Sequence, residues 1–247
     1  MKFMLPVLMV CTVVMLVLFS AGGLTQSATR AQGPVSATAQ KKEPASDLVY
    51  ADFETTKYDR PASSRGGFVQ LFSYQQNPAA PPKIKGQAGA EPPAPELVKP
   101  LKDDPSVAAA FDFEMVLPNQ YEGIIMEVIG QSDGDDGKPA PDDVSGYSYL
   151  TLQASATGVS SLSVEFLSQG HGIEITAGSP QASIEIKPGF NLYKIPLSSL
   201  AQPSWATVKV NPIDVLKKLT AINIIAACGP CAATKGRVVV DNIVFHH

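Results

Sequence analysis

Residues 149–156, Tyr-Leu-Thr-Leu-Gln-Ala-Ser-Ala, alternate apolar and polar side chains. Leu150, Leu152 and Ala154 fall on one face of an extended chain, and Thr151, Gln153 and Ser155 on the other. Residues 161–167 repeat the pattern with Leu162, Val164 and Phe166. Further strand-like runs cover 67–74, 108–117, 121–129, 183–186, 191–197, 221–225 and 237–245. Gly, Pro, Ser and Asp separate them at short intervals, the pattern of an all-β sandwich or barrel. Only 212–219, Pro-Ile-Asp-Val-Leu-Lys-Lys-Leu, has helical spacing. Near the start of this region, 51–54 reads Ala-Asp-Phe-Glu, so acidic and apolar residues alternate at both ends of one β domain.

Two stretches break the pattern. Lys2 precedes an apolar run from Met4 to Phe19, and small residues follow up to Gly23. A basic start, a short apolar core and small residues make a secretory signal over 1–23, with an uncleaved N-terminal anchor as the rival. Residues 24–46, rich in Ala, Ser, Thr and Gln, then form a flexible linker. The β domain is expected over 47–247, interrupted by a proline-rich excursion over 75–105 that neither helix nor central strand accommodates. The body of the protein is therefore expected outside the cell or in the cell envelope. Its only membrane contact would be an uncleaved N-terminal segment.

Composition narrows the function. The chain has 247 residues, 17% of them charged, with a formal net charge of -4. Nucleic acid selects basic stripes, so it is excluded as a partner. After removal of Cys11 with the signal, Cys228 and Cys231 remain, an even pair that oxidises in an exported protein. Cys228-Gly-Pro-Cys231 has the spelling of a thiol-disulfide active site. Such a site needs its first thiolate at a helix start, and no helical pattern follows this one, so a loop-stiffening disulfide is expected, with a redox protein using Cys228 and Cys231 as the lesser alternative. His171 stands without a nucleophile around it, and no acyl-transfer triad follows from it.

The ordered pieces resemble a known family: Asp52-Phe-Glu54, Gly66-Gly67, Asp143-Val-Ser-Gly-Tyr147, Tyr193-Lys-Ile-Pro-Leu, Ile222-Asn-Ile, Gly236 and Val240-Asp-Asn-Ile243. The set is similar to the galactose-binding-like jelly roll of family 11 type carbohydrate-binding modules. It is equally similar to the intermediate-associated domain of respiratory complex I assembly. The resemblance spans roughly 48–245. It implies a two-sheet antiparallel β-sandwich with one short helix, no catalysis, and often a structural calcium ion. It implies either a polysaccharide or glycan ligand on a concave sheet face, or a protein partner on the same fold.

That resemblance selects candidate residues. Tyr74, Tyr121, Tyr149 and Trp205 would stack on sugar rings, with Gln153 and Glu165 as hydroxyl partners. Tyr193 and Phe166 fall on apolar faces and are read as core, and Trp205 has a rival reading as cover for the sandwich edge. Asp52, Glu54 and Asp241 offer hard oxygens where the opening strand would meet the last, the place the resemblance gives to calcium. Their rival reading is solvation or pairing with Lys57 or Arg237. A second acidic run, 132–137, lacks calcium-loop spacing.

Overall fold

The computed structural model describes residues 46–57, 59–74, 93–103, 105–128, 141–168, 178–228 and 233–247. The signal, nearly all of the linker, Cys231, His171 and the 132–137 run lie outside the described residues. Among the described residues no helix is long and apolar enough to cross a membrane.

The chain forms β1 (Leu48–Ala51), β2 (Thr56–Lys57), β3 (Arg60–Pro61), β4 (Val69–Tyr74), β5 (Glu96–Val98), β6 (Ala108–Met115) and β7 (Gln120–Glu127). There follow β8 (Tyr149–Ala156), β9 (Ser161–Leu167), β10 (Gln181–Glu185), β11 (Asn191–Pro196), a 3-10 turn (Leu197–Ser199), α1 (Pro212–Leu216), β12 (Ala221–Cys228) and β13 (Thr234–His246). One sheet runs β11-β8-β13-β6-β5, with β1 paired to the end of β13; the second runs β10-β9-β12-β7-β4. Every pairing is antiparallel. Among the described residues the expected all-β, two-sheet sandwich with one short helix is the observed architecture, with β2 and β3 forming a separate pair.

The alternation read from the sequence is the inside-outside pattern. Leu150 and Leu152 on β8 and Leu162, Val164 and Phe166 on β9 are all buried at 1% exposure or less. Phe166, Tyr50 and Tyr147 each pack against Phe245 at ring-centroid distances of 6.4, 5.8 and 5.7 Å. Tyr193 also packs on the core, its hydroxyl accepting from the Lys187 backbone N–H. The Tyr50 hydroxyl donates to the Met126 carbonyl at 2.9 Å, tying β1 of one sheet to β7 of the other. A buried phenol needs such a partner.

Four local departures have physical causes. The opening strand is Leu48–Ala51, immediately before the Asp52–Glu54 piece, which is a bend with Phe53 at φ 56 and its ring buried. The excursion expected through 105 regains structure sooner, because Glu96–Val98 pairs with Ala108–Ala110 as an edge strand. Proline is tolerated at such an edge, so Pro95 and Pro100 can flank it. Helix α1 starts where Asn211 Oδ1 accepts the Ile213 N–H and Pro212 takes the first position. It stops at Leu216 rather than Leu219, because the Leu219 N–H and C=O are both bonded to Asp142.

The fourth is in β13. Val238 and Val240 point inward, then Ile243 and Phe245 do, so the phase of the strand shifts by one residue. A β-bulge at Asp241–Val244 absorbs the shift, with Asn242 at φ 49.

Candidate functional site

The two sheets expose two outward faces, and the register assigns each candidate to one of them. On the six-stranded sheet, Tyr149 and Gln153 point outward from β8. On the five-stranded sheet, Tyr121 points outward from β7 and Glu165 from β9. Tyr74 stands opposite Tyr121 in the β4–β7 register. The structure therefore does not bring the six ligand candidates together. β8 and β9 are consecutive strands but enter different sheets, which separates Tyr149 and Gln153 from Tyr121 and Glu165.

Tyr149 and Gln153 are engaged on their own face. The Tyr149 ring stacks on His246 at 4.8 Å, and Lys194 Nζ lies 3.5 Å from its centroid. His246 bridges Thr151 Oγ1 and Asp47 Oδ2, each at 2.8 Å, joining the start of the described domain to its last strand. Gln153 Oε1 accepts from Asn242 Nδ2 at 3.0 Å and so belongs to the bulge.

The three carboxylates expected to hold calcium are also occupied separately. Asp52 Oδ1 accepts from Ser64 Oγ at 3.0 Å and from the Glu54 N–H at 3.3 Å. Glu54 Oε1 accepts from the Val107 N–H at 2.7 Å. Asp241 is fully buried; its Oδ1 accepts from the Asn242 N–H at 2.7 Å. A carboxylate inside an apolar strand needs a donor, and here the bulge supplies it. Among the described residues no three His, Cys, Asp or Glu side chains group as metal ligands, so these three do not form the expected cluster. Arg237 pairs instead with Asp112 at 2.9 Å and Glu96 at 2.6 Å.

The outward face of the five-stranded sheet carries an aromatic row beside a polar one. Across β4, β7 and β12, one row reads Phe72, Gly123, Ile225. A Cβ at Gly123 would meet the Phe72 ring at 2.8 Å, so the missing side chain lets that ring lie down on the sheet. Phe72 meets Tyr121 edge-on, with centroids 6.2 Å apart. The next row reads Gln70, Ile125, Asn223, Glu165, Gln181. Asn223 and Ile225 are only 7% and 6% exposed although they point away from the core. Asn223 Nδ2 donates to Glu165 Oε2 at 3.4 Å, while Asn223 Oδ1 is buried without a partner. Burial pushes the Glu165 carboxyl above the ordinary range, partly offset by the Asn223 bond, and burial alone raises Glu127 at the edge of the face.

Phe72, Gly123 and Asn223 were not among the sequence candidates. Their signals were present: Phe72 falls out of phase with Val69 and Leu71, and Asn223 is the one polar residue in Ala-Ile-Asn-Ile-Ile. Trp205 is 63% exposed in a loop pinned by Gln202, whose amide bonds Gly178, Val208 and Val210. That loop reaches the five-stranded sheet through the Gln181–Ala201 bridge at the β10 edge. An open groove between residues 145–148, the 3-10 turn and α1 holds none of the six ligand candidates. Cys228 is buried on the inner face of β12.

No protein-family model and no curated protein sequence matches the chain. Solved structures do. The family 11 carbohydrate-binding module of the cellulosomal cellulase Lic26A-Cel5E of Clostridium thermocellum is 13% identical, with a TM-score of 0.50 over 81% of this chain and 94% of that one. The family 11 module from Clostridium thermocellum in complex with a beta-1,3-1,4-mixed-linked tetrasaccharide is 14% identical, with a TM-score of 0.49 over 81% and 95%. A family 30 carbohydrate-binding module is 10% identical, with a TM-score of 0.46 over 67% and 91%. This chain has the β-sandwich fold of the family 11 carbohydrate-binding module from the Lic26A-Cel5E cellulase.

Proposed function

We propose that this protein is an exported, non-catalytic carbohydrate-binding module that takes a polysaccharide on the outward face of its five-stranded sheet. The observation that carries the reading is the Phe72–Gly123–Tyr121 platform beside the recessed Asn223 and the half-buried Glu165. Aromatic faces stack on the apolar faces of sugar rings, and the polar row supplies hydrogen bonds to their hydroxyls. Residues that point outward and yet are buried support a concave floor. The cellulase context of the family 11 module with this fold makes β-glucans the first ligands to try. Export, and a disulfide between Cys228 and Cys231, belong to the same proposal, on the signal-like start of the chain and the even cysteine pair.

The test is affinity electrophoresis of the folded chain in gels containing soluble β-glucans, with calcium and with chelator. Retention should fall about tenfold in Tyr121→Ala, which corresponds to about 1.4 kcal/mol. It should persist in Tyr149→Ala. Because the carboxylates do not cluster, chelator should leave retention unchanged. A second reading, a protein-interaction module, rests on Leu192, which is 65% exposed on the outward face of β11. Silence of the folded chain across a broad glycan array would favour it.

A further inference from the structure

The five strands of the candidate face, Val69–Tyr74, Gln120–Glu127, Ser161–Leu167, Gln181–Glu185 and Ala221–Cys228, contain no Lys, Arg or His. They do contain glutamates, and Glu127, Glu165 and Glu185 lie on the outward face. The other sheet differs: Lys194, Lys235, Arg237 and His246 all belong to its strands. A ligand anion placed over the centre of the five-stranded sheet would meet carboxylates and no cation of its own strands; Lys57 and Arg60 lie at one corner, 5.7 and 6.0 Å from the Phe68 ring.

The Glu165–Asn223 pair at the centre carries the argument further. Asn223 must turn its NH2 towards Glu165, because two oxygens facing each other repel. That leaves Asn223 Oδ1, in a residue only 7% exposed, as an acceptor with no donor. A buried unpaired acceptor is costly to keep, and a ligand donor removes the cost. Glu165 also accepts only, once ionised. The pair thus calls for hydrogen-bond donors and repels negative charge. Sugar hydroxyls supply donors without charge; carboxylates and sulfates supply acceptors with it.

On the carbohydrate reading above, we propose that the Glu165–Asn223 pair is a specificity element that selects uncharged glycans and excludes polyanionic ones. Like-charge placement against a binding surface is an effective way to reject a competitor that shares the backbone of the true ligand. Screening makes the rejection strongest at low salt.

The experiment compares retention of the full chain in hydroxyethylcellulose and carboxymethylcellulose gels, two polymers with one backbone and different charge. Retention on the neutral polymer should exceed that on the anionic one by about tenfold or more at low ionic strength, and the ratio should shrink as salt rises. Glu165→Gln should lower the ratio severalfold. Asp214→Asn removes the same charge from α1, where Asp214 faces Lys217 at 3.6 Å, and should leave the ratio unchanged. Equal retention of the wild-type chain on both polymers overturns the inference alone. A ratio that moves as much in Asp214→Asn as in Glu165→Gln shows a net-charge effect and also overturns it. No retention of the folded chain on either polymer overturns the carbohydrate reading together with it.

Discussion

Glu122 points inward from β7 and is 1% exposed. Its carboxyl is pushed from 4.5 up to about 8, chiefly by burial, and the Glu114 carboxylate adds to the rise; both oxygens of Glu122 are buried without a hydrogen-bond partner. A folded-state value above the unfolded one means that the folded protein holds the proton more tightly. The stability associated with this group is fully present below pH 4.5 and is lost as pH rises towards 8. A shift of this size, at about 1.4 kcal/mol per pH unit, corresponds to a loss of roughly 3 kcal/mol at pH 7 and roughly 5 kcal/mol above pH 8. Glu122→Gln keeps the shape and removes the charge. It should match the wild type within about 1 kcal/mol at pH 5, the scale of one altered hydrogen bond. At pH 9 it should be more stable by several kcal/mol, or about 10 °C in melting temperature for a domain of this size. Glu127 and Glu165 shift in the same direction, so the difference between variant and wild type, not the wild-type curve alone, isolates Glu122. Melting curves of both proteins from pH 5 to 9 decide the matter. A variant that is less stable than wild type at pH 9, or a difference that does not grow with pH, refutes the reasoning.

Two further substitutions probe the frame that holds the site. Tyr50→Phe removes the hydroxyl that reaches the Met126 carbonyl between the sheets and should cost about 1–2 kcal/mol in urea unfolding, without affecting glycan retention. Asn242→Val places a β-branched residue at φ 49 and deletes the bond to Gln153, which should cost about 2–3 kcal/mol, whereas Asn242→Gly should cost less in the same assay.

The inside-outside pattern was legible because alternation is a local property. β8 and β9 occupy the residues expected of them, and Leu152 and Phe166 are buried as the pattern requires. Sheet membership is not local. The same alternation that put Tyr149 and Glu165 on outward faces could not show that their strands lie in opposite sheets. The helix end is not local either: Leu219 is withdrawn from α1 by Asp142, a residue 77 positions away in sequence. Asp241 stands out in the sequence as a carboxylate in an apolar strand, but that the Asn242 N–H and side-chain amide donate to it depends on the bulge. The significance of Phe72 depends on Gly123 of the neighbouring strand, a pairing set by register and so not legible in the sequence alone.

The most direct test of the central claim is a titration of the 15N-labelled chain with a soluble β-glucan oligosaccharide, followed through side-chain amide resonances. Asn223 reports on the five-stranded face, and Gln153 and Asn242 report on the other sheet. Binding on the proposed face predicts saturable shifts at Asn223 while Gln153 and Asn242 stay in place. Shifts confined to Gln153 and Asn242, or none at any ligand concentration, would contradict it.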